Sequence, residues 1–338
     1  MKAVLITKKS SQHLSQKEVD TSDFDSRSRT LKPIRLIGQV ESVMTRHTSG
    51  GEDIFVLLGL ANGNLLRGRW AAILGESLPN LGDVIRIEIT PNDAVVKIRD
   101  SLLTGAASQS TDKYCHPIIH WRGIPDTYPL TLLGSLYDLT EQPEALDRLW
   151  GIIDRIPVPD LRQLLNELFA HSRFSMPFVQ VAASHNHHHS HPGGLLIHSV
   201  ECAEWVERVA TGTLNSKESA LAVVAALLHD FGKIETMGTS GFSQLVAHEV
   251  LTLALLEPAL TKLQTQWPQG AYALRQMLSW STFTEKFPTL PGALLVKMAD
   301  QYSTALSARE KAFKAQPEHY YWARLTTSHS IQLFNRIN

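Results

Sequence analysis

Hydrophobic and polar positions follow three different rules along the chain. Residues 9–32 (KSSQHLSQKEVDTSDFDSRSRTLK) are polar and Ser-rich with no apolar period, so a mobile tail is expected over 1–32. From Pro33 short apolar runs begin: Ile34–Val43, Ile54–Leu60, Asn64–Trp70, Asp83–Ile89 and Ala94–Ile98. Turn-forming clusters separate them, at Ser49–Asp53, Ala61–Asn64, Leu81–Asp83 and Pro91–Asp93. Five such strands over 33–105 predict a small OB-like β-barrel.

Residues 101–126 carry Gly, Ser, Thr and Pro without period, and a linker is expected over 106–126. Apolar residues then recur at i, i+3 and i+4, in Glu144–Ile153, Pro159–Phe169, Leu195–Val209, Lys217–His229, Leu245–Leu256, Ala271–Leu278 and Gly292–Leu306. There is no internal repeat and no heptad run. The expected fold class is therefore α+β multidomain, a small OB-like β-barrel followed by an all-α helical bundle over 127–310, with 311–338 as a C-terminal extension.

Composition narrows the function classes. The chain has 338 residues, 43% hydrophobic and 19% charged, which excludes a disordered, collagen-like or coiled-coil protein. Its net charge of −1 provides no global field for polyanions, so any nucleic-acid site must be local. Cys115 and Cys202 are the only cysteines and form no CxxC pair, so no disulfide framework is expected and a reducing, cytoplasmic setting fits. The N-terminal segment lacks a signal-peptide pattern, and no apolar run is long enough to span a bilayer, so no membrane partner is expected.

The 15 histidines are the compositional excess. Many fall in His185-Asn-His-His-His-Ser-His-Pro-Gly-Gly-Leu-Leu-Ile-His198, where His185 and His191 read as solvated. His198 instead interrupts the apolar helix that starts at Leu195, and a buried imidazole there needs a partner. His229 and Asp230 end a helix, Ala220 to Leu228, that is apolar all round and therefore central, with Gly232 as its terminator. Asp300 breaks the apolar run from Ala293 in the same way. Two imidazoles and two carboxylates suit a divalent cation such as Mn²⁺, Fe²⁺, Zn²⁺ or Mg²⁺.

The pattern His198, His229-Asp230, Asp300 resembles the H…HD…D signature of the HD superfamily of metal-dependent phosphohydrolases. The longer motif His187-His188-His189-Ser-His-Pro-Gly-Gly-Leu-Leu-Ile-His198 is similar to two HD groups. One is the bacterial 3′-to-5′ exoribonuclease family that joins an OB-fold to an HD domain. The other is the HD domain of conjugative relaxases of the MobH or TraI-like type. The resemblance implies that His198, His229, Asp230 and Asp300 hold the principal metal, that Lys233 faces a substrate phosphate, and that His248 belongs to the metal set of two-metal relatives. It makes His229, Asp230, Lys233 and His189 the candidate catalytic residues, with His188 as a substrate contact. Trp280 stands in the segment Met277–Phe283 where binuclear relatives often carry His, so one or two ions are expected.

The implied activity is metal-dependent hydrolysis of a phosphodiester in single-stranded RNA or DNA, 3′-to-5′ exonuclease-like. The alternatives are hydrolysis of a nucleotide or small phosphoester, and an accessory nucleic-acid-binding module without turnover. Arg67, Arg69 and Trp70 in Leu65-Leu-Arg-Gly-Arg-Trp read as a basic strand face for the nucleic acid, with Phe55 nearby. The barrel region as a whole has seven basic and eight acidic residues, whereas the stretch from Ser307 has five and two. That last stretch includes Tyr320, Tyr321 and Trp322, read as packing residues. Self-association into a homo-oligomer is a further expectation.

Overall fold

A computed structural model describes residues 33–48, 51–72, 76–90, 95–99, 115–185, 189–238, 245–281, 286–326 and 331–337. The tail expected over 1–32 lies outside them. Strands β1 (Ile34–Thr48), β2 (Gly51–Leu60), β3 (Leu65–Ala72), β4 (Val84–Ile89) and β5 (Cys115–Ile124) form a closed barrel in the order β1-β2-β3-β5-β4. The β3–β5 pairing is parallel and the others are antiparallel. Alternation on β2 sends Ile54, Val56, Leu58 and Leu60 inward, as a half-exposed strand requires.

The fifth strand is not where the apolar pattern placed it. Residues 95–99 form a helical turn, α1, whose Val95 plugs the barrel core. A run as short as Val-Val-Lys-Ile does not by itself separate helix from strand. The closing strand is β5, inside the expected linker. Its Pro117 and Arg122 obscure the period, yet His116 and Ile118 still alternate into the interior. Pro117 sits opposite Arg69 on the short parallel pairing.

β4 is buried on both faces. Ile85, Ile87 and Ile89 fill the barrel, while Val84 and Arg86 turn outward against the helices. The helical region comprises α2 (Leu130–Leu139), α3 (Pro143–Arg155), α4 (Pro159–Ala170), α5 (Ser172–Gln180), α6 (Gly194–Ala210), α7 (Ser216–Leu228), α8 (Lys233–Thr236), α9 (His248–Gln266), α10 (Pro268–Ser279) and α11 (Gly292–Phe313). Every residue from Ala220 to Leu228 is buried, as an all-round apolar helix predicts. Its start is fixed by Asn215, whose side chain accepts from the amides of Lys217 and Glu218. Phe231, three residues beyond this helix, is completely buried among Phe169, Phe174 and Phe178.

The extension is also structured. β6 (Trp322–Thr326) and β7 (Ile331–Asn335) pair as a hairpin whose Ala323 rests on Ala312 and Phe313 of α11. Tyr320, Tyr321 and Trp322 are exposed there, contrary to the expectation that they pack. No helix among the described residues is long and apolar enough to cross a membrane.

Candidate metal centre

Three segments bring the expected ligands together. α6 carries His198, the turn after α7 carries His229 and Asp230, and α11 carries Asp300. Gly194 opens α6 in a position with no room for a side chain, because a Cβ there would lie 1.9 Å from the carbonyl oxygen of His189. Gly232 has the same role on the other side, where a Cβ would lie 2.1 Å from the carbonyl oxygen of His248. The amide of Gly232 donates to Thr252 Oγ1 (2.7 Å), and this hydroxyl donates to the carbonyl of His229 (3.2 Å). The N-terminal end of α9 is thereby clamped to the His229-Asp230 turn.

Donor atoms of His198, His229, Asp230 and Asp300 lie within 4.8 Å of one another. His198 Nε2 is 3.2 Å from His229 Nε2, 3.3 Å from Asp230 Oδ2 and 3.5 Å from Asp300 Oδ1. His229 Nε2 is 3.4 Å from Asp230 Oδ2 and 3.9 Å from Asp300 Oδ1. Ligands about 2.0–2.2 Å from one ion stand roughly 3.0–3.6 Å apart, so the donors have nearly the spacing of a coordination shell.

Hydrogen bonds on the far side of each ring fix what these nitrogens offer. His229 Nδ1 lies 2.8 Å from the carbonyl of Ala226, which only accepts, so Nδ1 carries the proton. His198 Nδ1 lies 3.1 Å from Ser303 Oγ, whose own proton goes to Glu201 Oε2 at 3.2 Å. Both rings thus direct Nε2 to the same point, beside two carboxylates, and His229 offers a lone pair there once its Nε2 proton has left. That arrangement could hold a metal cation.

The electrostatics agree. Burial lowers the pKa of His229, but Asp230 and Asp300 outweigh it and push the value up to about 10. Burial favours protonated Asp230, yet the neighbouring His229 and hydrogen bonds from the imidazoles hold it well below the usual carboxylate range. Asp300 is lowered for the same reasons, with His198 and His229 overcoming its burial. Cys202 Sγ is 3.9 Å from both nitrogens of His198 and forms an alternative donor group with His198 and His229. Burial pushes its thiol up, so it stays protonated beside the ring, and the nitrogen and oxygen set is the better cation site.

The remaining expected residues are distributed around this centre. His248 is not one of the four converging donors; its Nε2 meets the other oxygen of Asp230 at 3.0 Å. Lys233 Nζ is 2.5 Å from Asp230 Oδ2 and its side chain is 12% exposed, so it is paired with one of the four carboxylate and imidazole residues. His189 lies on the opposite side of His198, 3.2 Å from Glu201, and not among the donors. His188 lies outside the described residues. A cavity of about 290 Å³ opens over the centre, lined by His229, Asp230, Asp300, His248, Trp280 and Lys297. Lys297, 3.3 Å from Asp300 Oδ2 and 39% exposed, was not anticipated, since a lysine one turn before an aspartate on a helix looks like an ordinary surface pair.

On the barrel, Arg67 and Arg69 point outward, with Leu57 and Phe55 opposite them on β2. Trp70 does not join that face. Strand alternation turns it the other way, against the barrel core and Trp121, with ring centroids 5.7 Å apart.

Residues 195–305 match the family model of the HD domain. No curated protein and no solved structure matches the chain significantly.

Proposed function

We propose that this protein is a divalent-metal-dependent phosphohydrolase acting on single-stranded nucleic acid as a 3′-to-5′ exonuclease. The observation that carries the chemistry is the convergence of two imidazole Nε2 atoms and two carboxylates beneath an open cavity lined by three of the four residues. The match to the HD domain supports the same class of reaction. The donor set accepts Mn²⁺, Fe²⁺, Zn²⁺ or Mg²⁺. A bound divalent ion supplies Lewis acidity, polarising a phosphoryl oxygen and making a water acidic enough to ionise near neutral pH.

The chain's own residues divide the remaining work. His198, His229, Asp230 and Asp300 hold the cation, and Lys233 offsets part of the charge on Asp230. His248 orients Asp230 through its second oxygen and lines the cavity, where it is placed to take or return a proton. Lys297 is the cavity cation that meets the substrate phosphate. The OB-like barrel supports a polymeric substrate, with Arg67 and Arg69 tracking the backbone beside the partly exposed Phe55. The polarity of cleavage rests on the resemblance to exoribonucleases alone.

A nucleotide or other small phosphoester is the second reading, favoured by the modest cavity volume and the near-neutral charge of the barrel. The deciding experiment is hydrolysis of end-labelled single-stranded RNA and DNA by metal-stripped protein after adding back Mn²⁺, Mg²⁺, Fe²⁺ or Zn²⁺, with a His229→Ala, Asp230→Ala double variant as control. Metal-dependent shortening that disappears in the variant supports the nuclease, and the product ladder gives its polarity. Metal binding without cleavage of either polymer sinks it in favour of a small substrate or a non-catalytic accessory role.

A further inference from the structure

Behind His198, away from the other three ligands, a polar chain runs outward through the packed helices. His198 Nδ1 reaches Ser303 Oγ of α11 at 3.1 Å, and Ser303 is itself buried. Ser303 Oγ donates to Glu201 Oε2 at 3.2 Å, and His189 Nε2 lies 3.2 Å from the same carboxylate oxygen. Glu201 and Ser303 line a groove of about 360 Å³ between α6 and α11, on the opposite face of His198 from the metal cavity. Burial alone would favour a protonated Glu201, but His189 and Ser303 stabilise its ionised form.

We infer that Ser303 and Glu201 are positioning residues for the metal centre: the Glu201 carboxylate orients the serine hydroxyl, whose oxygen then accepts from His198 Nδ1 and leaves Nε2 as the ligand atom. The physical basis is tautomer selection. A neutral imidazole has one proton to place, and an acceptor fixed at Nδ1 keeps that proton off Nε2. Ser303 also couples two of the ligand-bearing helices, because it sits on α11 three residues after Asp300 while its bond crosses to α6. Glu201 lies three residues after His198, so a single helical turn on each element carries both a ligand and its support.

The inference rests on the reading of the four donors as a cation site, and its test separates the two. Mn²⁺ binding to the full-length protein is measured by calorimetry for the wild type, Ser303→Ala, Glu201→Gln and Ser303→Thr. Ser303→Ala and Glu201→Gln are expected to weaken the Mn²⁺ Kd about 10–100-fold. Ser303→Thr, which keeps the hydroxyl, is expected to restore it. Equal Kd values for wild type and Ser303→Ala overturn the positioning role while leaving the metal centre intact. Failure of the wild type to bind Mn²⁺ overturns both. Should Ser303→Ala fail to fold, nitrogen-15 NMR of Zn²⁺-loaded wild type decides the matter: a His198 proton on Nδ1 is expected, and a proton on Nε2 refutes the inference.

Discussion

Arg86 on β4 donates from Nη2 to Asp147 Oδ2 on α3 at 2.7 Å, and both side chains are almost fully shielded from water. Tyr137 of α2 donates to the other oxygen of Asp147, while Arg86 also reaches Glu88. Burial works against the charge on Arg86, but the hydrogen bond and field of Asp147 raise its pKa overall. The pair pins barrel to helices. Removing one partner breaks the buried pair and leaves Arg86 only Glu88, or Asp147 only Tyr137 and the more distant Arg122, so Arg86→Met or Asp147→Leu is expected to cost about 3 kcal/mol in urea unfolding. The double variant is expected to lose clearly less than the sum, and strict additivity would show that the pair does not act as a unit.

The four donors make a second prediction. His198→Ala, His229→Ala and Asp300→Ala are each expected to lose stoichiometric metal while keeping their helical circular dichroism, because the surrounding core of α6, α7 and α11 is apolar and intact. Retention of one metal per chain in all three would rule out this centre.

Proton release supplies a third. In the metal-free protein His229 keeps its proton up to about pH 10, above its ordinary value of 6.5. Its contribution to stability is therefore complete below about pH 6.5 and is lost as pH rises towards 10. Asp230 and Asp300 act in the opposite sense, contributing above their ordinary values near 3.8 and losing that contribution as pH falls through their depressed values. Metal binding at pH 7 must displace the His229 proton. Calorimetry in buffers of different ionisation enthalpy is expected to show about one proton released per metal, with affinity rising with pH; a pH-independent affinity would contradict the assignment.

The two lysines near the centre are expected to behave differently. Lys297→Ala should raise KM about tenfold with little change in kcat, since it removes a cavity cation worth ~1.4 kcal/mol to a bound phosphate. Lys233→Ala should instead change metal affinity, because its ammonium is already committed to Asp230. Steady-state kinetics and metal titration on the two variants distinguish the roles.

The barrel face offers a fifth test. Replacing Arg67 and Arg69 together with Ala is expected to flatten the dependence of log K on log salt for a fluorescent single-stranded oligonucleotide by about 1.4, roughly 0.7 for each phosphate no longer neutralised. An unchanged slope would place the nucleic acid elsewhere.

Much of this centre is legible in the sequence because each ligand violates its surroundings. His198, His229, Asp230 and Asp300 are polar groups in otherwise apolar helical runs, and that conflict can be read from one sequence. Ser303, Glu201 and Lys297 violate nothing, since serine, glutamate and lysine are ordinary on a helix surface, and only the approach of α6 to α11 gives them roles. β5 stays hidden because Pro117, His120 and Arg122 dilute its alternation, and its partners are fixed by barrel closure rather than by local pattern. Trp70 follows Arg69 directly in the chain, yet alternation assigns it to the face opposite Arg67 and Arg69, so adjacency in sequence is the wrong guide there.

The late position of β5 also shapes how the chain is made. β1 to β4 can pair as soon as they are synthesised, but β3 and β4 each keep an open edge until Cys115–Ile124 arrives. At roughly 5–20 residues per second, the interval between Ile89 and Ile124 leaves the β4 edge bare for about 2–7 s on the ribosome, and the β3 edge for longer. Exposed strand edges are templates for wrong pairing. The segment that seals them runs on within a few residues into α2, so completion of the barrel and the first helix of the bundle are successive events on one stretch of nascent chain.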